Sequence, residues 1–152
     1  QDTYVNITEE NNPKTSLKYF YSDPSVVTTP SKMITMPSNE VTFTLESATL
    51  SNITKAAAVI GSADLVLENS SGTPSLTVKD KKNDTANSYS TQVVQSNDEA
   101  EKYKFWFKVE NLKLLPGSYD VQVSAKKISY FKNSNFDIEY FIALEPESSY
   151  GN

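Results

Sequence analysis

Three observations predict an all-β protein: apolar residues alternate with polar ones, almost nothing repeats with a helical period, and Pro-, Asn- and Gly-bearing separators recur at short intervals. The expected architecture is an antiparallel two-sheet sandwich of about nine or ten strands. Composition agrees. Hydrophobic residues make up only 38% of the 152-residue chain, yet there are nine Tyr, seven Phe and one Trp. Mean hydropathy is −0.48. Large rings and abundant Thr suit a half-exposed pleated surface. The length fits one domain with a core that needs no staples.

The elements follow in order. Tyr4 to Thr8 reads as a strand, and Glu9-Glu10-Asn11-Asn12-Pro13 reads as a spacer. This predicts a division into an N-terminal strand and spacer, 1–12, and a single β-domain, 13–152. Leu17 to Tyr21 is a second short strand. Asp23 to Pro37 carries Pro24, Pro30 and Pro37 and is expected along a sheet edge, too short to join two domains. Val41, Phe43 and Leu45 alternate with polar residues. Lys55 to Ala58 predicts one helical turn with Ser51 or Asn52 as its cap. Ala63 to Glu68 and Ser75 to Lys79 flank a tight turn with Gly72 and Pro74. Tyr89 to Gln95 follows a charged loop. Tyr103 to Val109, Tyr119 to Ala125, Lys127 to Phe131 and Phe136 to Leu144 complete the set. No internal repeat is visible.

The chain has no His, Cys or Arg, and all fourteen basic residues are Lys. No side chain titrates near neutrality without a large shift. Thiol chemistry, soft-metal ligation and bidentate guanidinium recognition are excluded. Glycine-rich phosphate loops and nucleophile elbows are absent. The acid pairs Glu145/Glu147 and Asp98/Glu99/Glu101 read as solvated loop charges, with nothing to place them across a cleft. Asp80/Asn83/Asp84 and Asn97/Asp98/Glu99 lack the spacing of a calcium loop. The chain is therefore expected to be non-catalytic, with no cofactor and no metal.

The formal net charge of −5 predicts no nucleic acid as partner. Lys79, Lys81 and Lys82 are interleaved with acids and read as a turn. No apolar run approaches the ~20 residues that would insert in a membrane. Sequons at Asn6, Asn52, Asn69 and Asn83 are candidate glycosylation sites, about as many as chance would give in so Asn- and Ser/Thr-rich a chain. Trp106, Phe141 and Tyr130 fall among polar neighbours or beside other rings. They are candidate aromatics for a ligand or an interface. Tyr4, Val5 and Ile7 form a strand ahead of the domain that could complete a neighbouring sheet.

The run Leu115-Pro116-Gly117-Ser118-Tyr119, followed by alternating Asp120-Val121-Gln122-Val123, resembles the late strand of immunoglobulin-like sandwich domains of prokaryotic cell-surface and pilus proteins. That resemblance implies an immunoglobulin-like sandwich. With the start at Gln1 taken as the mark of a processed, exported chain, the expectation is a secreted or cell-surface structural or adhesive subunit. It would assemble into a filament by strand exchange, with itself or other surface proteins as partners. The alternative is a carbohydrate-binding module, or an accessory domain of a secreted enzyme, that takes glycans on its rings.

Overall fold

A computed structural model describes residues 3–97 and 101–151. The chain forms two compact units, Gln1–Ile34 and Thr35–Asn152, which divide inside the proline-bearing stretch. The first is a hairpin of β1 (Tyr4–Glu9) and β2 (Asn12–Phe20). The antiparallel ladder sets Tyr4 opposite Phe20 and Ile7 opposite Leu17. The expected boundary after residue 12 thus falls at the start of β2, inside the hairpin. After β2 comes a 3-10 turn at Pro24–Val26, where Asp23 accepts the Ser25 N–H at 2.8 Å.

The second unit contains β3 (Val41–Leu45), α1 (Ser47–Ile60), β4 (Asp64–Asn69), β5 (Ser75–Val78), β6 (Tyr89–Gln92) and β7 (Tyr103–Lys108). A 3-10 turn at Val109–Leu112 leads to β8 (Tyr119–Ser124), β9 (Ile128–Asn133), β10 (Glu139–Ala143) and β11 (Ser149–Tyr150). One sheet has the order β10-β9-β8-β3, the other β11-β7-β4-β5-β6. The protein is mostly β, as its alternation predicts.

The strand order holds a duplication the sequence conceals. A strand, a crossover and three antiparallel strands run from β3 to β6, and the same series runs from β7 to β10. Each first strand leaves its own series. β3 pairs with β8, and β7 pairs with β4. Both sheets therefore read as first strand of one series followed by the last three of the other. This arrangement, not an immunoglobulin-like strand order, organises the unit.

The inner faces meet in one core. Phe43, Val121 and Phe131 come from one sheet, Leu67, Phe105 and Phe107 from the other, all at most 3% exposed. Phe107 and Phe131 meet edge-on at 6.3 Å between the layers. The two crossovers close the same seam: Leu50 and Ile53 of α1 and Leu112 of the second crossover line one small internal void with Phe43, Leu65 and Phe131.

The predicted single helical turn is a fourteen-residue helix. Leu50, Ile53 and Ala57 form its buried stripe at helical spacing. Its N-cap is Glu46, with no side-chain cap bond, so neither Ser51 nor Asn52 acts as the cap. Gly61 ends it with φ +72°, and the N–H groups of Gly61 and Ser62 both reach the Ala57 carbonyl.

The resemblance at Leu115–Tyr119 is local. Tyr119 is fully buried, and its hydroxyl donates to the Leu115 carbonyl four residues upstream at 2.5 Å. Desolvation raises its pKa above the ordinary 10.0. The Tyr140 hydroxyl accepts the Leu115 N–H at 3.1 Å, so two tyrosines anchor the second crossover where the first has a helix.

Phe107→Ala should lower the unfolding free energy by about 3–5 kcal/mol in denaturant titration. Val59→Ala, at a helix position 88% exposed, should change it by less.

Candidate functional site

Glu145 and Glu147 do not oppose each other across a cleft. They instead clasp one cation, with Lys81 Nζ at 3.0 and 3.2 Å from their carboxylates. Hydrogen bonds that the Lys81 ammonium donates to Glu145 and Glu147 raise its pKa. Glu147 is held below its ordinary value by its own backbone N–H and by Lys81. An open groove of about 810 Å³ lies beside this clasp at the C-terminal end of α1. Its lining sets Lys81, Lys82 and Lys108 against Asp64, Asp80, Glu110 and Glu147, one acid in excess.

In the two clusters set aside as calcium loops, Asp80, Asn83 and Asn97 make hydrogen bonds within the protein. Asp80 accepts the Lys82 N–H at 2.8 Å, and Asn83 accepts from Thr85. Asn97 bonds the Thr42 N–H and the Glu40 carbonyl, while Asp98 and Glu99 lie outside the described residues. Among the described residues no cluster of three or more potential ligands could hold a metal ion.

The candidate aromatics do not converge. Trp106 is half-buried on β7, opposite Val66, with the Lys79 ammonium 5.4 Å from its ring. Its backbone is engaged too, by Ser148 and by the Glu145 N–H. Tyr130 and Phe141 pair on the other sheet at 5.0 Å, and the Tyr130 hydroxyl donates to Glu139 at 2.7 Å. Of the sequon residues, Asn69 is buried and accepts the Gly72 N–H, a turn-forming role. Asn6, Asn52 and Asn83 are exposed. Tyr4, Val5 and Ile7 all lie in β1, paired with β2.

Two features that sequence reasoning missed are better candidates. The first is the outward face of α1. Ser47, Ser51, Asn52, Lys55 and Val59 are exposed, and no acid occurs from Ser47 to Ala63. The second is a pair of open sheet edges. The free side of β3 is covered, since Ser96 N–H donates to Thr42 O at 2.7 Å and Asn97 takes the Thr42 N–H. β11 is two residues long. Among the described residues of the second unit, that leaves β6 and β10 as the longer edges without a paired strand, equivalent positions in the two series. The Val93 N–H bonds Pro74 at 3.0 Å, so antiparallel alternation turns the N–H groups of Ser90 and Gln92 toward the open side.

The clasp has a pH signature. A carboxylate with a depressed folded-state pKa contributes stability above its ordinary value, here 4.5, and loses it as pH falls through the depressed value. Melting curves from pH 7 to pH 3 should show Glu147→Gln less stable at neutrality and less acid-sensitive than the parent.

Comparison with known proteins identifies the fold. A family described as "gp45 sliding clamp, C terminal" matches residues 42–146. The sliding clamp of Vibrio phage KVP40 is 26% identical over 150 residues, covering 95% of this chain. The chain spans 66% of that relative's length. These matches overturn the reading of a secreted or cell-surface filament subunit, adhesin or glycan binder, and the immunoglobulin-like assignment with it. A Pro-Gly turn before a buried tyrosine recurs wherever a strand enters a core, so it could not carry a family. A chain that starts at Gln1 does not report location. The exclusion of nucleic acid falls as well, because net charge averages over faces that differ. The expectation of a non-catalytic chain agrees with the family, since sliding clamps are not enzymes. Matched over 105 of its 152 residues, 42–146, the chain belongs to the gp45 sliding-clamp family.

Proposed function

We propose that this chain acts within a ring-shaped clamp that encircles duplex DNA and holds a replicative polymerase to it. The observation that carries the reading is that the family match spans the strand-exchanged unit almost end to end. The acid-free face of α1 supports it. In a chain of net charge −5, this helix is a surface that phosphates can approach without facing carboxylates. Ser47, Ser51 and Asn52 can donate to phosphate oxygens, and Lys55 supplies the helix's one cation.

A single lysine suits the task. A ring keeps its DNA by enclosure, so tight phosphate contacts would only slow sliding, and each cation engaged adds to the salt dependence of binding. The negative charge elsewhere limits adhesion to DNA outside the ring. Copies or domains join through the β6 and β10 edges, where backbone pairing continues one sheet into the next.

Assembled protein should stay on nicked circular DNA in 0.5 M salt and leave within minutes once the circle is cut. Equal retention on circular and linear DNA would refute encirclement. Gln92→Pro removes an outward N–H from β6 without touching the bonds to β5. It should leave the melting temperature within a few degrees and abolish assembly in analytical ultracentrifugation.

A further inference from the structure

We infer that residues 145–151 form a guard strap that closes the β7 edge against strand addition by a second copy of this chain, and that the Lys81 clasp holds the strap shut. The inference rests on the edge-to-edge joining proposed above and identifies an edge that must not join.

Each sheet of the second unit has two ends. Among the described residues, one end is β10 or β6, without a paired strand. The far ends are β3 and, under the two-residue β11, β7. Left bare, those strands would also invite a partner. β3 reads Val-Thr-Phe-Thr-Leu and β7 reads Tyr-Lys-Phe-Trp-Phe-Lys, both rich in β-branched or aromatic residues and free of Pro and Gly. A unit open at both ends of a sheet can add copies without limit. One joint per sheet lets an assembly close.

The same device guards both far ends. On β3, the Thr42 N–H donates to the Asn97 side-chain oxygen at 2.8 Å, and the Thr42 carbonyl accepts the Ser96 N–H at 2.7 Å. On β7, the Trp106 N–H donates to the Ser148 hydroxyl at 2.9 Å, and the Trp106 carbonyl accepts the Glu145 N–H at 2.8 Å. A side-chain oxygen satisfies a backbone donor without laying a full strand beside it, so the ladder stops there. Each guard also follows the last strand of the series whose first strand it covers. Residues 95–97 follow β6 and return to β3, and residues 145–151 follow β10 and return to β7.

The β7 guard is tied on both flanks. The Leu144 N–H reaches the Lys127 carbonyl at 3.0 Å, and the Lys127 ammonium reaches the Pro146 carbonyl at 2.5 Å. Lys127 is the one non-glycine residue with positive φ among the described residues, at +65°, where glycine is the usual occupant. Its ammonium on the strap gives a reason for lysine at so unfavourable a backbone position. On the other flank stands Lys81, whose own N–H is fixed to Asp64 at 3.2 Å and whose ammonium binds Glu145 and Glu147. Further along, Tyr150 stacks on Phe105 at 6.3 Å and 16°, and the Gly151 N–H reaches the Lys102 carbonyl at 2.8 Å.

The test uses the Gln92→Pro background, in which the β6 joint is blocked. There Lys81→Gln should speed amide exchange at Trp106, Glu145 and Gly151 by about 5-fold and leave Val121 and Val123 unchanged. Lys81→Gln/Ser148→Ala, and separately a chain stopped after Pro146, should form larger species whose share grows with concentration in analytical ultracentrifugation. Strand alternation from Lys102 and Trp106 turns the Lys104 N–H toward the strap. Lys104→Pro should therefore return both opened chains to the size of the background protein. Three results would overturn the proposal: strap amides indifferent to Lys81→Gln, opened chains that keep the background size, or association that Lys104→Pro leaves intact. Assembly that survives Gln92→Pro alone counts against the β6 joint. It leaves the strap readouts, which are differences from that background, standing.

Discussion

The backbone pairing of β3 with β8 and of β7 with β4 governs this structure. Each series gives its first strand to the other's sheet, so neither half has a complete sheet without its partner. Burial follows from that pairing. The two sheets must face each other, and Phe107 and Phe131 meet between them. The crossovers follow as well. A chain that leaves β3 for β4, or β7 for β8, must step from one sheet to the other over the same open seam. One step is taken by α1 and the other by a short turn held by Tyr119 and Tyr140.

Charge is the property that misleads most easily here. The chain carries 19 acids against 14 lysines, which argues against a polyanion for any protein that grips by affinity. Enclosure does not need affinity. On the proposed reading it needs a wall without repulsion, which a helix exposing hydroxyls, an amide and one ammonium would provide. The acids are spent elsewhere, as in the Glu145/Glu147 clasp around Lys81 or the Glu68 carboxylate between Lys79 and Lys104.

Much of the β-structure was legible because alternation directly reports a buried face, as at Tyr103, Phe105 and Phe107 or Val121 and Val123. The helix was not, because Thr49, Ile53, Thr54 and Val59 are branched at Cβ and favour strands. The counter-signals were present in Leu50, Ile53 and Ala57 at helical spacing and in Gly61 as a stop. Tertiary burial of that stripe outweighs propensity. The duplication was hidden because a fourteen-residue helix in one series stands where the other has a four-residue turn. The candidate aromatics lie on strands, with Trp106 on one sheet and the Tyr130–Phe141 pair on the other. A protein that works by closure, as proposed for this one, has no reacting group for sequence reasoning to find. On that reading its useful surfaces are an acid-free helix face and two sheet edges, which no motif records.

The long reach of β3 also has a cost in time. Val41 cannot meet Val123 until the ribosome has made the intervening chain, which at about 5–20 residues per second takes roughly 4–16 s. Throughout that interval a nascent strand with Val41, Phe43 and Leu45 on one side waits without its mate. Early docking of α1 onto the first series would shield those side chains. On that view the helix does its first work as a guard during synthesis, before the chain is complete.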